Sequence, residues 1–341
     1  MLKRWQFWLG IAISAVFLYL ALRGLHLGEV WQSLKTARYL WLLPGIAVYF
    51  LGVWARAWRW HYLLRPLKKI PTRTMFPIVT IGYMGNNVFP ARAGEVLRAG
   101  ILKDREGVPI SASLATVVVE RIFDAVVMLG FVFFNLGALA NLTHNSGFIG
   151  NIQQLSIWGS VIFLGALVVF LLAAMFPLVT ERIVIKVIDW VVPERIREKT
   201  RGIALKFLTG LESLRSPKDA LMVLFTTVII WLLETGKYWF VMHGFDFQVS
   251  FFALMLMNGI VNIATTLPSA PGYIGTFDGP GIAVLAAYGV PAEIAAGYTL
   301  VLHAALWFPI TMLGAYYYLR QPLRWGKDLE KIKHGQETLP V

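Results

Sequence analysis

Between residues 86 and 124 the chain sets Asn86, Asn87, Arg92, Glu95, Arg98, Glu120, Arg121 and Asp124 in or beside strongly apolar stretches. Three arginines stand against three carboxylates. A charge at the centre of a spanning helix costs about 2.5–3.5 kcal/mol even on the lenient insertion scale, so these groups are expected to turn inward and pair. Glu120 and Asp124, four apart, share a helical face, whereas Arg121 points about 100 degrees round the axis. Two readings fit. In the structural one, carboxylates of this helix clamp Arg92 or Arg98. In the functional one, an arginine offers its planar fork to an anionic headgroup, and the carboxylates aim it or exchange protons.

A second set lies nearer the C-terminus. Residues Pro268 to Gly279 form a glycine-rich break followed by a helix start, with Thr276 or Asp278 as the N-cap. Exposed N–H groups at such a start attract anions, though a tight turn that lets helices pack closely explains the same residues. His303 sits inside an apolar run, where it either titrates near neutrality or bonds a neighbouring helix. Glu234 and Lys237, three apart, are expected to pair with each other or with the first cluster. The candidate substrate contacts are therefore Arg92, Arg98, Arg121, Asn86, Asn87, Gly272, Tyr273, Thr276 and His303. The candidate tuning or gating groups are Glu95, Glu120, Asp124, Asp278, Glu234 and Lys237.

Enzyme signatures are absent from the sequence. It contains no GxSxG, Walker loop or HExxH, and the six His do not cluster with carboxylates at metal-ligand spacing. No catalytic residue, metal or cofactor is expected. With no cysteine, disulfide and thiolate chemistry are excluded.

Composition says what must position these groups. The 341 residues are 57% hydrophobic and 15% charged, with a mean hydropathy of +0.63, which describes an integral membrane protein. The net charge of +12 sits mainly in the connections, where it fixes topology and touches anionic lipid, so nucleic acid is not an expected partner. Six apolar runs are long enough to cross a bilayer: Trp5 to Leu22, Leu40 to Tyr62, Ser111 to Leu139, Leu155 to Phe176, Ala220 to Met242 and Ala292 to Leu319. Two further segments, 75–105 and 251–288, are broken by Gly, Pro, Asn and charge. They are expected to be helical hairpins that enter the membrane and return on the same side. Residues 181–215 are amphipathic and too charged to span, and are expected to lie on the inner leaflet.

The basic loops 63–73 and 178–218 and the basic tail fall on one side. Residues 140–154 and 244–250 are poor in Lys and Arg, and the loop holding Arg23, Lys35 and Arg38 is the exception. Both termini are thus expected in the cytoplasm of a multi-pass inner-membrane protein. A single membrane domain, 1–341, is read as a first spanning helix and loop (1–38), repeat 1 (39–140), a spanning helix with interfacial helices (141–218), repeat 2 (219–319) and a cytoplasmic tail (320–341). The repeat rests on matched features. Phe89-Pro90-Ala91-Arg92-Ala93-Gly94 parallels Leu267-Pro268-Ser269-Ala270-Pro271-Gly272, and each is followed by the tripeptide Gly-Val-Pro, at 107–109 and 289–291. Twelve residues past each of those prolines stand Arg121 and His303. Three crossings separate the copies, which inverts one relative to the other, the layout of alternating-access transporters. The fold class is accordingly an all-α membrane protein, with about six spanning helices and two re-entrant hairpins in an inverted repeat.

Asn86 to Glu95, Glu120-Arg121-Ile122-Phe123-Asp124 and Pro271-Gly272-Tyr273-Ile274-Gly275 resemble the flippase-like membrane region of lysylphosphatidylglycerol synthases and the stand-alone UPF0104-type proteins grouped with it. The resemblance covers nearly the whole chain. It implies a lipid translocase that works without ATP on an anionic, aminoacylated, isoprenoid-linked or glycosylated lipid. The full-length synthases carry a soluble aminoacyl-transferase domain after the membrane region, while this sequence stops at Val341, so lipid aminoacylation is not expected. Two other functions remain open on the residues: a membrane-embedded transferase acting on a polyprenyl-phosphate lipid, and a carrier of a small soluble anion. The expected partners are membrane lipids, with a lipid-modifying enzyme as a further candidate through residues 181–215.

Overall fold

The computed structural model describes residues 5–89, 93–134, 176–267 and 269–320, with scattered positions between 158 and 175. Arg92, Pro268, the connection 140–154, most of the run Leu155 to Phe176 and the tail from 321 onward lie outside the described residues. Among those described, all regular structure is helical: α1 (Trp5–Leu22), α2 (Leu27–Thr36), α3 (Leu42–Leu64), α4 (Thr72–Val88), α5 (Gly94–Glu106), α6 (Ile110–Phe134), α7 (Pro177–Val191), α8 (Glu194–Thr209), α9 (Pro217–Met242), α10 (Phe251–Ala264), α11 (Asp278–Ala287) and α12 (Ala292–Leu319).

Local chemistry sets the boundaries. Pro177 and Pro217 open their helices at positions where no N–H is needed. The hydroxyls of Ser216 and Ser250 accept from the N–H groups of Asp219 (3.3 Å) and Ala253 (3.1 Å), capping α9 and α10. The two Gly-Val-Pro tripeptides adopt the same form: Gly107 (φ +73°) and Gly289 (φ +81°) are left-handed just past α5 and α11. The valines are buried, and each proline directly precedes a long helix. Only glycine takes that backbone conformation at little cost.

Three described helical stretches, Tyr39–Leu64, Pro217–Met242 and Ala292–Leu319, are long and apolar enough to cross a membrane. Helix α6 has the length, 25 residues, but carries Glu120, Arg121 and Asp124. Helices α3 and α9 pack along one another, α4 lies against α12, and α4 pairs with α5 as α10 pairs with α11. Ion pairs identify the two ends of this bundle. At one, Arg65 meets Asp219 (3.0 Å) and Lys68 meets Glu106 (2.8 Å). At the other, Arg38 meets Asp246 (3.3 Å) and His26 meets Glu293 (3.4 Å). The pair α4–α5 thus leaves from and returns to the first end, and α10–α11 leaves from and returns to the second.

Two apolar cores hold the halves together. One is centred on α3 to α6 and contains Trp60, Met75, Ile78 and Leu102. The other is centred on α9 to α12 and contains Tyr238, Leu285 and Tyr298. Tyr298 donates to the Tyr238 carbonyl (2.9 Å) and Trp60 to Thr116 (2.9 Å), so their buried polar atoms are satisfied.

Three sequence expectations need correction. The segment read as the loop after the first crossing contains α2, whose Val30 is buried and which packs on α12 so closely that a Cβ at Gly297 would meet Ser33 Oγ at 2.7 Å. Neither Thr276 nor Asp278 is the N-cap of α11, because that position is Phe277 and no side chain caps it. Within 181–215, the helices break at Pro193 as expected and Ile183, Val187 and Trp190 are exposed, but Leu211 and Leu214 are buried in the first core.

Candidate functional site

Helix α3 contributes two cations that the sequence reading did not single out. Arg59, almost wholly buried, forks onto Asp124 of α6 (2.5 and 3.3 Å), and it also donates to Thr227 of α9 (3.0 Å). The Trp231 indole donates to the same carboxylate at 3.0 Å. Arg56, one turn earlier, donates to Glu234 (2.9 Å), and Lys237 closes on the other oxygen of Glu234. Rings of Tyr49 (4.4 Å to the centroid) and Tyr238 (5.7 Å) flank the ammonium. The signal was present in the sequence, since Arg56 and Arg59 stand three apart on one face of an otherwise apolar spanning run.

The hairpin α4–α5 supplies the rest. Arg98 pairs with Glu120 and lies 4.5 Å from the Trp60 ring centroid. Arg121 is held by Glu95 (2.5 Å) and lies 3.6 Å from Asp124, yet 45% of its side chain is exposed. Among the described residues it is the most open cation of the cluster by a wide margin, since the Arg56 side chain is 13% exposed and that of Arg98 9%. The three-against-three balance is therefore incomplete. Arg56, Arg59, Arg98, Arg121 and Lys237 face Glu95, Glu120, Asp124 and Glu234, leaving one positive charge in excess among the described residues.

A cavity of about 140 Å³ opens beside this cluster, between α3, α4 and α6 on one side and α9, α10 and α12 on the other. Arg56, Arg121 and Lys237 reach its wall against one carboxylate, Glu234. Asn86 and Asn87 of the first break and Gly272, Tyr273 and His303 of the second half line it as well. The two breaks adjoin. Asn87 donates to Thr311 of α12 (2.8 Å), and a Cβ at Gly272 would lie 3.7 Å from the Asn87 carbonyl oxygen. The Asn86 side-chain oxygen, Oδ1, is buried without a hydrogen-bond partner among the described residues.

Thr276 is placed elsewhere: fully buried, it donates to the Tyr273 carbonyl at 3.1 Å and does not reach the cavity. Asp278 is also buried, with Oδ2 accepting from the Gly275 N–H (2.9 Å) and Oδ1 set 2.8 Å from His303 Nδ1. The Gly275 N–H, in the turn just ahead of α11, therefore already has an anion, the chain's own carboxylate. Folding also brings together a group the sequence spacing hides. His26, Glu29 and Glu293 each place a ligand atom within 4.8 Å of the others, at the end of the bundle and away from the cavity.

The model of the lysylphosphatidylglycerol synthase TM region matches residues 7–314, and the chain belongs to that family. A UPF0104 membrane protein of Methanothermobacter thermautotrophicus is 22% identical over 323 residues, covering 89% of this chain and 92% of its own length. A UPF0104 membrane protein of Methanocaldococcus jannaschii is 23% identical over 266 residues, covering 75% and 77%. Glycosyltransferase AglD of Haloferax volcanii is 26% identical over 305 residues, 80% of this chain but 47% of that protein. No solved structure matches the chain.

Proposed function

We propose that this membrane protein moves an anionic lipid between the two leaflets by alternating access. The observation that carries the reading is the cavity wall, where three fixed cations meet one carboxylate between two broken hairpins that start from opposite ends of the bundle. A guanidinium fork fits phosphate oxygens, and the aromatic walls suit the apolar part of a headgroup or its first methylenes. Membership of a lipid-synthase membrane family supports a lipid-related role. The two halves act as inverted repeats with the site between them, the termini lie in the cytoplasm of an inner-membrane protein, and the acyl or prenyl chains stay in lipid during the passage. The substrate is an aminoacylated, isoprenoid-linked or glycosylated lipid, or a simple acidic phospholipid. A lipid-modifying enzyme acts beside it as a partner.

The test is a vesicle assay with the purified protein, using a fluorescent phosphatidylglycerol and a fluorescent polyprenyl phosphate as probes. Arg121→Ala should slow movement of the accepted probe about 10- to 150-fold, the weight of one charge-assisted contact of about 1.5–3 kcal/mol. A correctly folded Arg121→Ala protein that moves lipid at the wild-type rate removes the proposed site. The match to AglD favours, as a second reading, a membrane-embedded transferase acting on a polyprenyl-phosphate lipid. That reading requires a donor substrate to be turned over, which the same vesicles can report.

A further inference from the structure

His303 is hydrogen-bonded at both ring nitrogens, and its two partners decide its protonation. Nε2 lies 2.7 Å from the carbonyl oxygen of Gly272. A carbonyl only accepts, so Nε2 carries a hydrogen. Nδ1 lies 2.8 Å from Asp278 Oδ1 while Asp278 Oδ2 accepts from the Gly275 N–H. One further hydrogen therefore sits between Nδ1 and Oδ1, and the geometry closes only when the pair holds both protons. We infer that the His303–Asp278 pair is a proton-binding site, and that its proton locks the turn at Gly272 against α12.

Loss of one proton cannot leave both contacts intact. If Nδ1 loses its hydrogen, a lone pair faces the Asp278 carboxylate. If Nε2 does, a lone pair faces the Gly272 carbonyl. The charge-assisted bond to Asp278 is the stronger of the two, so the proton leaves from Nε2 to water in the cavity. The pair then goes from neutral to one negative charge, and the Gly272 bond is broken.

That bond holds a left-handed turn in which one residue is strained. Gly272 (φ +78°), Tyr273 (φ +61°) and Gly275 (φ +81°) are all left-handed, and Tyr273 has a Cβ that disfavours the region. Phe277 covers the imidazole at 4.5 Å between ring centroids, and His303 also reaches the cavity. The charged and titratable groups that line the same cavity as His303 are Tyr273 in the turn, Tyr49 and Arg56 on α3, Tyr83 on α4, Arg121 on α6, and Glu234, Lys237 and Tyr238 on α9. The cations among them are the groups assigned above to the anionic headgroup. A proton lost from the pair adds a negative charge to the same cavity, so proton release and headgroup release are coupled by charge. This inference rests on the lipid-translocase reading for its consequence, but not for the proton site itself.

Two measurements separate the claims. Selective nitrogen-15 histidine labelling of the protein in nanodiscs, with His303→Gln to assign the signal among six His, follows the ring nitrogens from about pH 5 to about pH 9. The doubly protonated form is expected at the acid end, with loss of the Nε2 hydrogen as pH rises and a midpoint that moves by about one pH unit or more in Asp278→Asn. A His303 signal that is singly protonated and constant across the range overturns the site. In vesicles clamped at zero membrane potential, one pH unit across the bilayer should bias a moving fluorescent lipid about tenfold at one proton per lipid, and His303→Gln should abolish the bias. Lipid that moves in the wild type without any bias overturns the coupling and leaves the translocase standing. Lipid that does not move at all overturns the translocase, while the nitrogen-15 titration still decides the proton site.

Discussion

Asp124 is where three helices are tied by one carboxylate, which accepts from Arg59 of α3 and Trp231 of α9 and lies beside Arg121 of its own helix. Removing its charge leaves Arg59, 3% exposed at its side chain, ionised without its main partner. Breaking one side of a buried pair costs about 3–5 kcal/mol, whereas replacing both members by apolar residues costs far less. Asp124→Asn should therefore lower the thermal unfolding midpoint in detergent much more than the double change Asp124→Leu with Arg59→Met. Equal losses in the two proteins would show that the pair does not act as a unit. At this scale the sequence disclosed the presence of buried charge but not its pairing. Glu95, Arg98, Glu120, Arg121 and Asp124 stood out because they interrupt apolar runs. Arg56 and Arg59 do so equally, three apart within Leu40 to Tyr62, but nothing in the spacing names their partners on α6 and α9. Without them the sequence offered Asp124 only Arg92 or Arg98, and the excess positive charge was invisible.

The same balance governs the elements. Helix α5 lies so close to α4 that a Cβ at Gly94 would run into the Gly82 carbonyl and sit 2.5 Å from the Asn86 amide nitrogen. Both obstacles are backbone, which cannot swing aside, so Gly94→Ala should cost about 1–3 kcal/mol through forced separation of the hairpin. Gly107→Ala is the useful contrast. Its Cβ would meet open space, but φ is +73°, so the penalty is conformational and of the order of 1 kcal/mol. The thermal midpoint should fall for both, while only Gly94→Ala should shift Arg98 away from Glu120 and slow lipid movement beyond what the stability loss explains. Equal effects on movement would remove the special place given to the α4–α5 contact. Elements of this kind were legible where punctuation is strong: α12 runs from Ala292 to Leu319 as read, and the two Gly-Val-Pro stops behave alike. Helix α2 was missed because ten residues joining a crossing to an aromatic belt look like a connection. Only its packing on α12, a contact distant in sequence, makes it a helix.

At the scale of the whole molecule, alternating access requires the two halves to part and rejoin around the cavity, and the bond from Asn87 to Thr311 crosses that boundary. The chain contains no cysteine, so thiols can be introduced at these two positions with no background. Asn87→Cys with Thr311→Cys, joined by a short bifunctional thiol reagent, ties the tip of the first hairpin to α12 at the depth of the cavity. The Asn87 side chain donates one bond of about 1 kcal/mol, so capping each thiol separately should leave most of the movement. Bridging them should abolish it, because no rearrangement of the second half can then carry α12 away from the first break. The bridged protein should still protect the nitrogen-15 signal of His303, since the Gly272 turn and Asp278 are on the same side of the constraint as α12. Lipid that moves at full speed through the bridged protein would mean that the halves do not separate here. The headgroup would then pass along a fixed polar groove, and the excess positive charge would serve as a track and not as a site that opens to one leaflet at a time.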